Sequence, residues 1–154
     1  SVLARRLDDG LDVLAKMWSG EPFDHRGRHF RVDRAQFLPT PLQQPRIPVW
    51  AACIVPNTRP LRRAARWDGV VMGAIGESGS IDPVPVDEVR RAVAAVAEHR
   101  APDAGPFDVA ISHTGVPSED ELARYAEAGV TWVMATGWFE QMDDLVALAA
   151  TGVG

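Results

Sequence analysis

The chain predicts an α/β fold built on a parallel sheet, on three observations: four short runs that are apolar on both sides, a helical stretch after each, and a leading helix with no strand before it. Strands of that kind alternating with amphipathic helices are joined by right-handed crossovers.

Residues 2–18 place Leu3, Leu7, Leu11, Leu14 and Trp18 four, four, three and four apart, on one face of a helix that Gly20 and Pro22 end. The stretch FDHRGRHFRV, Phe23 to Val32, predicts a short hairpin turning near Gly27, and PTPLQQPRIP after it is too proline-rich for a regular element. Strands are expected at Val49 to Cys53, Gly69 to Met72, Phe107 to Ser112 and Thr131 to Thr136. Helices are expected at Pro60 to Trp67, Val86 to Arg100, Ser118 to Ala128 and Glu140 to Ala150. Val86, Val89, Val93 and Val96 recur at three or four, and Ser118 with Glu121 has capping-box spacing before a helix that stops at Gly129. The expected organisation is a single domain, 1–154, with a leading helix (1–19), a hairpin and proline-rich excursion (20–46) and four βα units (47–154).

Two architectures satisfy this pattern, an open doubly wound sheet or part of a (β/α)8 barrel. No GxGxxG motif supports a dinucleotide site. A chain that begins on a helix and then runs through four βα units reads as the C-terminal half of a barrel of the TIM type, strands five to eight with their helices.

At 154 residues the chain suffices for one core, and 46% hydrophobic residues suit a soluble globule. A net charge of −5 argues against nucleic acid or an anionic membrane as the main partner, although Arg59, Arg62, Arg63 and Arg66 gather locally. One cysteine, Cys53, allows no internal disulfide, and with no leader or long apolar run the expected location is cytoplasmic. Lacking an adjacent histidine, Cys53 reads as a small buried hydrophobe.

The segment RIPVWAACIVPNTRPLRRAARWDGVVMG, residues 46–73, is a strand, loop, basic helix and strand, an arrangement that turns backbone N–H groups toward an anion. Asn57, Thr58 and Arg59 lie just before the helix, as anion ligands or as an ordinary cap with a solvated arginine. Arg62, Arg63 and Arg66 read as a solvated outer face and Trp67 as packing. Gly73 and Gly76 follow a strand, where they admit a ligand or make a turn. His113 ends the next strand, where it is expected to point into the barrel mouth, for chemistry or substrate contact or, lacking a visible acid partner, in a structural role. His25 and His29 read as hairpin surface, and no metal site is expected. Trp132 is expected in the core, and Trp138 beyond the last strand either closes over a ring or covers the barrel end.

The segments RRLDDGLDVLAKMWSGEPFDHRGRHFRVD (5–33), FLPTPLQQPRIPVWAA (37–52), PLRRAARWDGVV (60–71) and YAEAGVTWV (125–133) together resemble the C-terminal half of luciferase-like flavin-dependent monooxygenases, including their deazaflavin-dependent relatives. The resemblance implies a (β/α)8 barrel in which Val49, Gly69, Phe107 and Thr131 begin strands five to eight. It implies FMN, or alternatively a deazaflavin, with a small organic substrate, the loop after the fifth strand helping to hold the flavin phosphate. Ala52 and Cys53 stand where the family usually has a glycine pair, and their Cβ atoms would crowd an approaching oxygen. By this resemblance Ala52, Cys53, Asn57, Thr58, Arg59, Gly73, Gly76 and Trp138 fall on the cofactor side, with His113 as the candidate catalytic group.

Half a barrel leaves its inner face, expected to include alternate residues from Val49 to Cys53 and Val109 to Ser112, without a partner layer. The chain is therefore expected to self-associate, pairing two halves, or to be a fragment of a larger polypeptide. The alternative to a flavin enzyme is a non-catalytic half-barrel that self-associates or binds a phosphate-bearing ligand.

Overall fold

The leucine stripe folds as a helix, α1, over Val2–Trp18, its first turn capped by the Ser1 hydroxyl, which accepts the Ala4 N–H at 3.2 Å. The structure, a computed structural model, describes residues 1–77 and 79–136 with Asp143 and Val146. The chain divides into two units, Ser1–Pro48 and Val49–Gly154.

In the first unit, β1 (Phe23–Arg26) and β2 (Arg31–Ala35) form an antiparallel hairpin with His25 opposite Val32. Asp9 of α1 fastens it. One carboxylate oxygen lies 2.7 Å from His25 Nε2, and the other accepts the backbone N–H groups of His29 at 2.6 Å and Phe30 at 2.9 Å. His25 is consequently buried rather than on the hairpin surface, because a carboxylate one turn from Arg5 and Arg6 supplies the partner that a buried imidazole needs. The proline-rich stretch carries no regular element, as its composition predicts.

The second unit alternates strands and helices: β3 (Trp50–Ile54), α2 (Arg59–Ala64), β4 (Gly69–Ile75), β5 (Ile81–Asp82), α3 (Val86–Ala97), β6 (Asp108–Thr114), α4 (Glu119–Glu127) and β7 (Trp132–Thr136). β3, β4, β6 and β7 pair in parallel in that order. Among the described residues the order never reverses, and no switch point of a doubly wound fold is present. β5 was not foreseen; it pairs antiparallel with the extended end of β4, Ala74 opposite Asp82. The helix expected over Glu140 to Ala150 lies outside the described residues apart from Asp143 and Val146, and Trp138 lies outside them.

Alternation along the strands creates two unlike faces. Ala51 and Cys53 of β3, Val70 and Met72 of β4, and Val109 and Ile111 of β6 are buried in one cluster with Leu61 and Ala64 of α2, Val89, Ala92 and Val96 of α3, and Tyr125 of α4. The opposite face carries Trp50, Ala52 and Ile54, then Val71 and Gly73, then Ala110 and Ser112, then Trp132 and Met134, and among the described residues no helix of this unit packs on it. The expected inner-face set was thus shifted by one residue: Val49, Ala51, Cys53 and Val109 belong to the parity that faces the helices or the neighbouring ladder. Both parities of these strands are apolar, so the sequence left the choice open. Trp132 is likewise exposed on the open face (55%) instead of packed in the core.

At the amino end of the open face the indoles of Trp50 and Trp132 lie 5.8 Å apart at 52°. Gly69 permits this, since a Cβ there would come within 2.6 Å of Trp50 Cδ1 and 2.7 Å of the Asp108 carbonyl oxygen. Asp108 in turn accepts the Trp132 indole N–H at 3.2 Å. The amino-end loops are held by Arg100, whose guanidinium donates to the carbonyls of Trp67 at 2.7 Å, Gly105 at 2.7 Å and Pro106 at 2.9 Å and lies over the Phe107 ring.

Candidate functional site

Four parallel strands bring their carboxyl ends to one side of the second unit: Ile54 pairs with Gly73, and Thr114 with Thr136. Parallel sheets of this kind place their sites there, on the loops that follow the strands. The loop after β3 starts with Val55, whose N–H donates to the Gly73 carbonyl at 3.0 Å, and turns back through an Asn57 N–H to Ile54 carbonyl bond of 3.1 Å. Asn57, Thr58 and Arg59 follow, all exposed. The Asn57 side-chain oxygen accepts the Arg59 N–H at 3.2 Å, an Asx turn that leads into α2, while Thr58 occupies the N-cap without a side-chain bond. An amide, a hydroxyl and a guanidinium are thereby presented on consecutive residues beside the strand end.

Ala52 lies on the open face and is exposed. Cys53, its neighbour, does not share that face. It is 2% exposed in the helix-side core, its thiol donates to the Asn57 carbonyl at 3.1 Å, and burial pushes its pKa up to about 11. The pair expected to take the place of two glycines is therefore split by the alternation of the strand.

His113 departs from expectation in the same way. It is 5% exposed, its ring meets Tyr125 of α4 edge-on at 6.2 Å, and Nδ1 lies 3.2 Å from the Gly115 carbonyl. Its parity is that of Val109 and Ile111, so it turns toward the helix layer and away from the mouth, while Ser112 and Thr114 take the other side. The Tyr125 hydroxyl donates to the Val84 carbonyl at 2.8 Å, which ties α4 to the loop before α3.

Gly73 lies on the open face, where a Cβ would stand 3.3 Å from Ile54 Cδ1. Gly76 makes a turn: its N–H donates to the Ser80 carbonyl at 2.9 Å, the Gly79 N–H returns to its carbonyl at 2.9 Å, and a Cβ there would run into the Asp82 carboxylate. A cleft of about 140 Å³ between the 55–58 loop and α3 is lined by Asn57, Thr58, Glu88 and Arg91, the last two paired at 2.6 Å. Sequence reasoning missed this cleft, because nothing along the chain brings residues 57 and 91 together. Among the described residues there is no cluster of His, Cys, Asp and Glu able to hold a metal ion, and no helix long and apolar enough to cross a membrane.

A parallel sheet with helices packed on one face and polar loops at its carboxyl edge defines an α/β protein. The match to the luciferase-like monooxygenase family runs over residues 4–150, and the chain belongs to that family. It is also similar to the oxygenase component of a flavin-dependent trigonelline monooxygenase of Acinetobacter baylyi, 32% identical over 54 residues, which cover 35% of this chain and 15% of that protein.

Proposed function

We propose that this chain supplies the carboxyl-end loops of a flavin site in an oxidoreductase of the luciferase-like type, acting on a small organic substrate with FMN or, alternatively, a deazaflavin. The observation that carries the reading is the union of an apolar open face with Asn57, Thr58 and Arg59 at the carboxyl end of β3, in a member of a family of monooxygenases. The donor chemistry suits a flavin phosphate: Arg59 provides charge-assisted donors, Thr58 a hydroxyl and Asn57 an amide N–H, all on exposed side chains. The apolar face beside Ile54 suits one edge of a planar ring.

The reaction is redox, and the flavin, when bound, supplies the electrons for oxygen activation or the hydride for transfer. This chain orients the phosphate and keeps water from one side of the ring. Cys53 and His113, both directed into the helix layer, serve packing, and His113 seats α4 through Tyr125.

Titration of FMN and of a deazaflavin coenzyme against the purified chain, followed by quenching of flavin fluorescence, tests the reading. Saturable binding that weakens roughly ten-fold in Arg59→Ala, the loss expected for one charge-assisted contact of about 1.4 kcal/mol, supports it. Absence of binding of either flavin at high protein concentration removes it for this chain.

A second reading has its own observation in the cleft between the 55–58 loop and α3. A small phosphate-bearing ligand would meet Thr58 and Arg91 there without any flavin. Retention of inorganic phosphate that Arg91→Ala abolishes and Arg59→Ala does not would favour it.

A further inference from the structure

We propose that the cleft between the 55–58 loop and α3 binds a small aliphatic zwitterion of the amino-acid type, its carboxylate on Arg91 and Thr58 and its ammonium on Glu88. Both walls belong to the second unit: Val55 to Thr58 with Leu61 form one, and Glu88, Arg91 and Ala92 of α3 form the other. The cleft holds about 140 Å³. That is well below the roughly 300–1,000 Å³ of a pocket for a drug-sized ligand, so it suits a molecule of roughly ten non-hydrogen atoms or fewer and excludes a flavin ring.

The loop wall is held in place by bonds of its own. The Cys53 thiol donates to the Asn57 carbonyl at 3.1 Å, the Asn57 N–H to the Ile54 carbonyl at 3.1 Å, and the Leu61 N–H to the Thr58 carbonyl at 3.1 Å. Such preorganisation reduces what a small ligand loses on binding. The Asn57 side-chain oxygen accepts the Arg59 N–H, which turns its amide group into the donor left for a ligand, and the Thr58 hydroxyl makes no capping bond to α2. Leu61 and Ala92, both buried, give the lining an apolar part that suits a short aliphatic body.

The charges select the ligand class. Arg91 Nη2 donates to Glu88 Oε1 at 2.6 Å, so a cation and an anion stand side by side in one cleft. Glu88 is the more withdrawn of the two, its side chain 21% exposed against 68% for Arg91. A lone anion approaching Arg91 also meets the Glu88 carboxylate, and a lone cation approaching Glu88 also meets the guanidinium. A ligand that bears both charges on one carbon lies antiparallel to the pair, each charge against its opposite. A guanidinium has five N–H donors and the bond to Glu88 uses one of them, so Arg91 can take a carboxylate without releasing Glu88.

The inference shares its cleft with the second reading above and depends on neither flavin nor phosphate binding. L-valine titrated into isotope-labelled chain, followed by nuclear magnetic resonance at the Thr58 and Ala92 amides, should saturate with a Kd on the order of 1 mM, as so few contacts imply. Isovalerate, which lacks the ammonium, and isobutylamine, which lacks the carboxylate, should each bind at least about five-fold more weakly. Glu88→Gln should weaken valine by a similar factor and strengthen isovalerate, because the repulsion leaves with the charge. Arg91→Gln should weaken both. Glutamine keeps the helix, which far-ultraviolet circular dichroism checks, and the comparison of the three ligands on the parent chain needs no substitution. No saturable shift with valine up to tens of millimolar overturns the proposal. So does isovalerate binding as tightly as valine, or Glu88→Gln moving both ligands in the same direction. Binding of inorganic phosphate without binding of valine removes this inference and leaves the second reading standing.

Discussion

Asp9 Oδ1 lies 2.7 Å from His25 Nε2, and this contact joins the middle of the first helix to the first strand of the hairpin. The His29 N–H is the main influence that holds the Asp9 carboxyl below its ordinary value of 3.8; burial opposes it, and the His25 bond, the Phe30 N–H and the His25 charge add to the lowering. A carboxylate with a depressed folded-state pKa contributes stability that is complete above the unfolded value and is lost as the pH falls through the folded one. Asp9→Asn should therefore be less stable than the parent at neutral pH, and the two should converge on acidification below 3.8. Urea midpoints measured across the acid range decide this, and a gap that stays constant with pH would contradict it.

Arg100 gathers the carbonyls of Trp67, Gly105 and Pro106. Arg100→Ala should cost about 2–3 kcal/mol, because those acceptors lose a charged donor. Lysine at this position offers one ammonium where the guanidinium reaches three carbonyls, so Arg100→Lys should recover less than half of the loss. Urea denaturation followed by circular dichroism gives both values.

At Gly69 the crowding comes from the Trp50 ring and from backbone, the Asp108 carbonyl oxygen, and backbone yields little. Gly69→Ala should destabilise by about 1–3 kcal/mol. It should also separate the Trp50 and Trp132 rings, which a reduced near-ultraviolet dichroism signal would report. An unchanged signal would mean that the rings do not depend on this gap.

Cys53 is predicted to be inert in the folded chain. With the thiol pushed up to about 11, its thiolate fraction at pH 8 is on the order of one in a thousand, and the sulfur is buried besides. Thiol reagents should modify it only as fast as the chain unfolds, so the rate should rise with urea in step with unfolding. Rapid labelling under native conditions would place Cys53 on the open face instead.

Element by element, much of this fold was legible in the chain. The leucine spacing located α1, the Ser118 and Glu121 pair formed the capping box its spacing implies, and the four strand starts fell within one residue of those expected. β5 escaped notice because two residues carry too little periodicity to register. The candidate site was less readable, and the cause is parity. A strand such as Val49 to Ile54 is apolar at every position, so nothing in it says whether Ala52 or Cys53 meets the helices. The same ambiguity misdirected His113, whose companion Tyr125 lies on the following helix. His25 was misread for a different reason: its partner, Asp9, is sixteen residues away on another element.

The Arg100 clamp sits at the amino ends of β4 and β6, opposite the loops at 55–58 and 76–80. Stability is thus anchored at one end of the strands, while the proposed ligand loops lie at the other. Substitutions in the carboxyl-end loops can accumulate without loosening that anchor, so these loops are free to vary while the framework stays fixed.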